Sequence, residues 1–158
     1  GKLLGNLLCG DLCLLVGLAV YVDLVFTDRN VLDNLDFVLK ATGCSDKRKR
    51  QLRIEEVLEL VGMQTKGYKM PHELSGGEQQ RIVIARAILN TPEIILADEP
   101  TGNLDSKNGQ EVMNLLRELN SEGTTVIMVT HSQHDASYAQ RILCLFDGQL
   151  VTDVRSRM

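Results

Sequence analysis

Tryptophan is absent from the 158-residue sequence, and aromatic residues make up only 4% of it. A surface that stacks nucleic-acid bases needs aromatic side chains, so the composition argues against one. Positive charge is not in excess, because 17 basic residues against 21 acidic residues give a net charge of -4. This balance provides no general attraction to nucleic acid, and we expect no nucleic-acid partner.

Paired cysteines are also missing. Cys9, Cys13, Cys44 and Cys144 form neither a C-x-x-C motif nor a disulfide framework, which favours a reducing cytosol. With 44% hydrophobic and 24% charged residues, the remaining composition is typical of one globular domain.

Residues 1–26 form an atypical apolar segment. Residues 3–22 read LLGNLLCGDLCLLVGLAVYV, which is long enough to span a bilayer and contains one charge, Asp11. A central Asp costs about 2.5 to 3.5 kcal/mol on insertion scales, and each Leu or Val returns roughly 0.3 to 0.6 kcal/mol, so the sum is close to balanced. We favour a buried strand and helix piece, or a foreign or truncated start, and keep a membrane anchor as the alternative.

Residues 27–90 are predicted to be mainly helical, with residues 63–73 as a connector. Apolar spacing and end signals predict three helices, at residues 28–39, at residues 46–61 and from Ser75 to Asn90. The third helix opens on S-x-x-E, because Ser75 and Glu78 have the spacing of a capping box.

Residues 91–158 alternate between strand and helix patterns. Two apolar runs, EIILAD at residues 93–98 and TVIMVT at residues 125–130, predict strands covered on both faces, and a helix after Ser106 separates them. Strand, helix, strand predicts parallel pairing with a crossover, and Asp147-Gly148 predicts a hairpin near the end. The expected fold class is α/β, with a partial parallel sheet and a helical subdomain.

Acidic residues and a histidine end the two predicted core strands. Asp98 and Glu99 follow the first strand, and His131 follows the second. Ligands of open α/β sheets lie outside the carboxyl ends of the strands, so these side chains are expected at one ligand-binding edge. There one carboxylate can hold Mg²⁺, the other can orient a water for attack on a phosphoryl group, and the imidazole can bond a terminal phosphate.

The sequence LSGGE offers a second kind of phosphate contact. Ser75, Gly76 and Gly77 begin a helix, where free N–H groups and the positive end of the dipole attract an anion. The two glycines remove side chains that would block close approach.

Together these motifs resemble the nucleotide-binding subunits of ATP-binding cassette (ABC) transporters. The resemblance rests on LSGGEQQRIVIARAILNTPEIILADEPTGNLD at residues 74–105 and on VTH at residues 129–131, and it covers residues 27–151. It implies an ATPase with ATP and Mg²⁺ as ligands and a P-loop NTPase-like fold, in which residues 27–90 are the helical subdomain and residues 91–158 belong to the ATPase core.

The resemblance also implies roles for individual residues. Glu99 is similar to the general base, His131 to the switch histidine at the γ-phosphate, and Asp98 to the magnesium residue. The signature motif, which contacts ATP held by the opposite subunit, corresponds to Ser75, Gly76, Gly77, Glu78 and Gln79. Residues 101–105 resemble the D-loop, which crosses the dimer interface with Gly102, Asn103, Leu104 and Asp105.

Two motifs of the family are absent from this sequence. No Lys is followed by Ser or Thr, so the P-loop G-x-x-x-x-G-K-[ST] is not present, and Thr27 stands where the Q-loop Gln is expected. We therefore expect an incomplete ATPase subunit that is inactive alone. Residues 27–43 and 69–87 look closest to the cell-division branch of the family, whereas residues 125–151 look more like the lipoprotein and macrolide exporter branch.

The partners that the resemblance implies are a second nucleotide-binding subunit, identical or not, and an integral membrane permease-like subunit. The implied location is cytoplasmic and peripheral, on the inner face of the cell membrane. Three alternatives stay open: a non-catalytic subunit that donates its signature to an intact cassette, a chromosome-maintenance ATPase, and a membrane-anchored scaffold built on residues 3–22.

Overall fold

The computed structural model describes residues 26–155. Its helices and strands follow in chain order: α1 (Val31–Ala41), α2 (Lys47–Leu60), a 3-10 turn (Pro71–Glu73), α3 (Gly76–Ile88), β1 (Ile94–Asp98), α4 (Ser106–Ser121), β2 (Thr125–Val129), α5 (Gln133–Ala136), β3 (Arg141–Phe146) and β4 (Gln149–Arg155). The predictions for residues 3–22 lie outside the described residues. Between residues 26 and 155, no helix has both the length and the apolar character needed to cross a bilayer.

Side-chain caps decide where the first three helices begin. Helix α1 begins later than predicted, because the Asn30 side chain accepts from the Asp33 amide at 2.8 Å. Helix α2 begins close to its predicted start, because Asp46 caps it by accepting from the first-turn amides. The capping box of α3 is confirmed: the Ser75 amide donates to Glu78 at 2.9 Å, and the Glu78 amide donates to the Ser75 hydroxyl at 3.3 Å.

Helices α1, α2 and α3 pack on one another and form the helical layer. Their apolar stripes supply Leu35, Val57 and Ile82, all of which are fully buried. Arg50 is also buried, and it bridges the helices by donating to Asp36 at 2.6 Å. The layer is therefore held by apolar burial together with an ion pair that is partly buried.

The predicted parallel pairing is confirmed for β1 and β2. Ile94 pairs with Thr125 and Asp98 pairs with Val129, and α4 makes the connection between the strands. Ile95 and Ala97 of β1 lie in the same buried core as Val112 of α4. The covered face of this sheet thus packs against the crossover helix.

The prediction that both strands are covered on both faces is wrong. On β2, Val126 and Met128 pack against the core, whereas Ile127 is 51% and Val129 62% exposed. An apolar strand sequence cannot show which face of the strand is covered. It shows only that either face would be compatible with a covering layer. Among residues 26–155 such a layer covers one face.

The predicted hairpin is confirmed at β3 and β4, which form a separate antiparallel sheet. Phe146 pairs with Gln149 across the turn, and the two turn residues, Asp147 and Gly148, have φ of 47° and 73°. Positive φ at both central residues defines the turn type that matches strand twist, which explains the Asp-Gly sequence.

Candidate functional site

The carboxyl ends of β1 and β2 meet at one edge of the parallel sheet. The Glu99 amide continues the ladder by donating to the Val129 carbonyl at 2.9 Å. This pairing brings Asp98, Glu99 and His131 to the same edge, as the strand pattern predicted.

The Glu99 side chain is held by the residues that follow β2. Its backbone has φ of 47°, in the left-handed region that few residues other than glycine adopt. Oε1 accepts from the His131 amide at 2.8 Å and lies 2.6 Å from His131 Nδ1, while Oε2 accepts from Thr130 Oγ1 at 3.2 Å. The carboxylate therefore has one fixed orientation across the sheet edge.

The same contacts set the charge of Glu99. Partial burial raises the pKa of Glu99, but the hydrogen bonds from His131 and Thr130 lower it further, to below its ordinary value of 4.5. Glu99 is thus ionised at neutral pH. General-base efficiency rises as the pKa of the base approaches the working pH, so a carboxylate with a lowered pKa is a weak base toward the proton of a water. Such a carboxylate is better suited to orienting the water.

His131 presents most of its ring to solvent, because its side chain is 86% exposed. Nδ1 faces Glu99, and Nε2 makes no hydrogen bond with any residue in the part of the chain that is described. A neutral ring with an acceptor at Glu99 carries its proton on Nδ1, whereas a protonated ring could also donate from Nε2 to an anion.

The Asp98 side chain is exposed at the end of β1 and makes no hydrogen bond or ion pair with residues 26–152. Within the same range no group of three or more His, Cys, Asp or Glu residues could hold a metal ion. Mg²⁺ commonly binds through one or two carboxylates, with waters and substrate phosphates as its other ligands. Asp98 fits that requirement as a single ligand.

The start of α3 is an exposed turn with a fixed charge pattern. Glu78 reaches back to the Ser75 amide, and Lys66 lies 3.0 Å from its other oxygen. The hydrogen bond from the Ser75 amide, and then the one from Lys66, hold the pKa of Glu78 below its ordinary value. Because the Ser75 amide already donates to Glu78, an approaching anion would hydrogen-bond to the N–H groups that follow Ser75 in the turn.

The two glycines of this turn have different surroundings. A Cβ on Gly77 would lie 2.7 Å from Asn108 Cγ in the first turn of α4, which is closer than any side chain can pack. A Cβ on Gly76 would lie 3.3 Å from the end of the Leu104 side chain. Close helix packing therefore explains Gly77, and only the exposed Gly76 is left for close approach of a ligand.

Gln79 has a structural role in addition to the one that its motif suggests. Its side-chain amide donates to the carbonyls of Pro71 at 3.0 Å and Leu74 at 3.2 Å. These bonds fasten the 3-10 turn to α3, so the carbonyl oxygen of the Gln79 side chain is the part left for other contacts.

The D-loop, residues 101–105, ends as the cap of α4. Asp105 accepts from the Asn108 amide at 2.9 Å and from its side chain at 2.6 Å, and these bonds lower the pKa of Asp105. Gly102 and Asn103 are exposed, whereas Leu104 turns partly inward against Gly76.

The structure thus brings the predicted residues together in two groups. Asp98, Glu99 and His131 share the sheet edge, and the signature residues lie beside the D-loop through Leu104 and Asn108. In the described residues no hydrogen bond joins the two groups.

Sequence reasoning did not assign Thr130 and Asn108. Thr130 bonds Glu99, and Asn108 both packs against Gly77 and completes the Asp105 cap. The D-x-x-N spacing of the cap was a signal for Asn108, whereas nothing in the sequence indicated that Thr130 faces Glu99.

Comparison with known proteins agrees with this geometry. The sequence profile of the ABC transporter family matches residues 17–102. The uncharacterized ABC transporter ATP-binding protein MJ1508 of Methanocaldococcus jannaschii is 54% identical over 67% of this chain and 47% of its own length. The cell division ATP-binding protein FtsE of Streptococcus pneumoniae is 45% identical over 84% of this chain and 60% of its own length.

An exporter and a solved cassette are similar as well. The macrolide export ATP-binding/permease protein MacB of Aggregatibacter actinomycetemcomitans is 51% identical over 66% of this chain and 16% of its own length. The dimeric structure of MJ0796, a bacterial ABC transporter cassette, superposes with a TM-score of 0.77 at 38% identity, over 90% of this chain and 63% of that one. The chain spans about half the length of the single-cassette relatives that it matches.

Proposed function

The chain belongs to the ABC transporter family of ATP-binding proteins, and from this premise we propose that it works in an ATP-driven complex of the FtsE and MacB type. The reaction is hydrolysis of ATP to ADP and phosphate. The observation that carries the proposal is the Glu99 carboxylate, held by His131 and Thr130 at the edge of the parallel sheet.

Each residue at this edge has a role that its surroundings allow. Glu99 orients the attacking water, since its carboxylate is ionised and fixed. A protonated His131 ring would donate from Nε2 to the terminal phosphate. Asp98 would supply one oxygen ligand to Mg²⁺. When bound, Mg²⁺ neutralises charge on the phosphates.

We propose that this chain alone does not turn over ATP. Phosphoryl transfer depends on positioning and charge neutralisation, and the P-loop that supplies a Lys, a hydroxyl and an amide cradle is absent from the sequence. Glu99 then has a water to orient but no held phosphate for it to attack.

An ATPase assay of the purified chain tests this role. We expect the same background rate from the chain and from its Glu99→Gln variant. Hydrolysis by the chain that Glu99→Gln abolishes would refute the proposal.

A second role, donation of the signature to an intact cassette, is favoured by the exposed Ser75 and Gly76 beside the D-loop. The N–H groups at the start of α3 would complete an ATP site whose P-loop lies on the other subunit. This role requires the exposed start of α3 but does not require a P-loop in this chain.

A full-length homologue whose own signature serine is changed to Arg provides the test, because its dimers keep the P-loop but lose the signature. We expect this chain to restore ATPase activity to that homologue. Ser75→Arg should abolish the restoration, whereas Ser121→Arg, which adds the same charge at the exposed end of α4, should preserve it. Equal loss with both variants, or no restoration at all, contradicts signature donation.

The partners follow from the same proposal. They are a second nucleotide-binding subunit and an integral membrane permease-like subunit, which places the chain on the inner face of the cell membrane as a peripheral cytoplasmic protein. The name of MacB includes a permease, which supports the second of these partners. The net charge of -4 supports a complex without nucleic acid.

A further inference from the structure

A buried carboxylate lies near the sheet edge and takes no part in the roles proposed for Asp98, Glu99 and His131. Asp135, on the short helix α5, is only 3% exposed. Its Oδ2 accepts a hydrogen bond from the hydroxyl of Thr101, the first residue of the D-loop. A buried carboxylate is costly unless it is satisfied, so the pairing constrains both residues.

Asp135 also belongs to a closed network that returns to Glu99. Glu99 Oε2 accepts from Thr130 Oγ1 at 3.2 Å, and Thr130 Oγ1 accepts from the Ser132 amide at 3.0 Å. The Ser132 hydroxyl in turn accepts from the Asp135 amide at 3.2 Å. Since Thr101 bonds Asp135 and follows Glu99 closely in sequence, the network forms a ring around the turn after β1.

The Thr101 side chain is half-buried beside α4. A Cβ added to Gly109 of α4 would make ordinary contacts with the Thr101 Cβ and methyl, at 3.5 and 3.6 Å. The Thr101 carbonyl accepts from the Leu104 amide at 2.9 Å, which closes the D-loop turn. The turn of residues 102–105 is therefore joined to Thr101, whose hydroxyl bonds Asp135.

We propose that Asp135 is a positioning residue that couples the D-loop to the orientation of Glu99. By holding Thr101, Asp135 ties residues 101–105 to the segment from Thr130 to Ser132, which in turn holds the Glu99 carboxylate. The effect of this coupling on hydrolysis rests on the proposed function, in which the D-loop faces a second subunit. The coupling within the chain does not depend on that function.

Amide hydrogen exchange of the full chain tests the coupling directly. Thr101→Val keeps the shape of the side chain and removes the hydroxyl, whereas Thr101→Ser keeps the hydroxyl. Thr42→Val is the matched control, because the Thr42 hydroxyl also bonds across elements, to Asn90 Oδ1 at 3.2 Å, but lies in the helical layer.

In Thr101→Val we expect protection of the His131 and Ser132 amides to fall roughly threefold to tenfold, the effect of losing one hydrogen bond from the ring. Thr101→Ser and Thr42→Val should leave these two amides unchanged. If Thr101→Val does not fold, Asp135→Asn, which preserves shape and one acceptor but removes the charge, should lower protection of the same amides. Unchanged protection in a folded variant, or a fall shared equally by amides of α1 and α2, overturns the proposal.

A second measurement separates this inference from the proposed function. In the mixed assembly with the signature-deficient homologue, turnover occurs at ATP held by the homologue, which the D-loop of this chain faces and its Glu99 does not. Thr101→Val should therefore lower kcat with KM unchanged by displacing the D-loop, and Thr101→Ser should restore kcat. If the chain with no substitution gives no activity there, signature donation has failed, and the exchange measurement alone decides the role of Asp135. If activity is present but Thr101→Val leaves kcat unaltered, the pair of Thr101 and Asp135 does not hold the D-loop in place, and the proposal is overturned.

Discussion

Gly77 occupies a position where the chain has no room for a side chain. An added Cβ would approach Asn108 of α4 to 2.7 Å at Cγ and 2.8 Å at Cβ, so the helices would have to separate. The neighbouring Gly76 meets only the flexible end of Leu104, at 3.3 Å. One motif thus contains two glycines with different requirements.

We expect Gly77→Ala to lower the free energy of unfolding by about 1 to 3 kcal/mol, the usual cost of overpacking. Gly76→Ala should change it by less than about 0.5 kcal/mol, as at most surface positions. Urea denaturation of both variants gives the comparison. Equal shifts of the two midpoints would contradict the packing explanation for Gly77.

At the scale of helices, Asp36 joins α1 to α2. It accepts from buried Arg50 at 2.6 Å and lies 2.5 Å from Lys40 in its own helix. Partial burial raises the pKa of Asp36, but the bonds from Lys40 and Arg50 lower it further, to below the ordinary value of 3.8. The folded state therefore favours the ionised form.

Asp36→Asn should lower the free energy of unfolding at pH 7 by about 1 to 3 kcal/mol, because Arg50 loses a charged partner. The difference from the unsubstituted chain should be full above pH 3.8, the ordinary value, and should shrink as the pH falls through the lower folded pKa. Asp33→Asn, an exposed Asp in the first turn of α1, is the control and should cost only about 0.3 to 1 kcal/mol. Urea midpoints at pH 7 and pH 3 measure both variants, and a pH-independent difference for Asp36→Asn would show that charge is not the cause.

Local chemistry made the starts of α2 and α3 and the hairpin turn predictable from sequence. The capping box of Ser75 and Glu78, the Asp46 cap and the Asp147-Gly148 hairpin each depend on residues that are neighbours in the chain. The order of strand and helix also predicted the parallel sheet and the shared edge of Glu99 and His131.

Contacts between distant segments were not predictable in the same way. Thr101 and Asp135 are 34 residues apart, and no local pattern indicates that they meet. The exposure of Ile127 depends on whether another layer covers β2, which the apolar run cannot specify. The positive φ of Glu99 occurs where its carboxylate bonds Thr130 and His131, which are distant in sequence.

At the scale of the whole molecule, apolar side chains are exposed on both sheets. On β2 the outer face presents Ile127 and Val129, and on the hairpin Leu145 and Phe146 are 71% and 70% exposed. Exposed apolar side chains on two sheets promote association. We expect the purified chain to self-associate at concentrations where compact monomers do not.

Ile127 and Ile95 test which face of the parallel sheet is covered in solution. Ile95 is fully buried on β1, whereas Ile127 on β2 is 51% exposed. Ile95→Thr removes apolar contacts and buries a hydroxyl, so it should cost about 2 to 4 kcal/mol. Ile127→Thr should cost less than about 0.5 kcal/mol, since Thr suits an exposed strand position, and it should also reduce light scattering. A cost at Ile127 equal to that at Ile95 would mean that the outer face of β2 is covered in solution, and the two-stranded sheet would then be only the inner part of a larger packed layer.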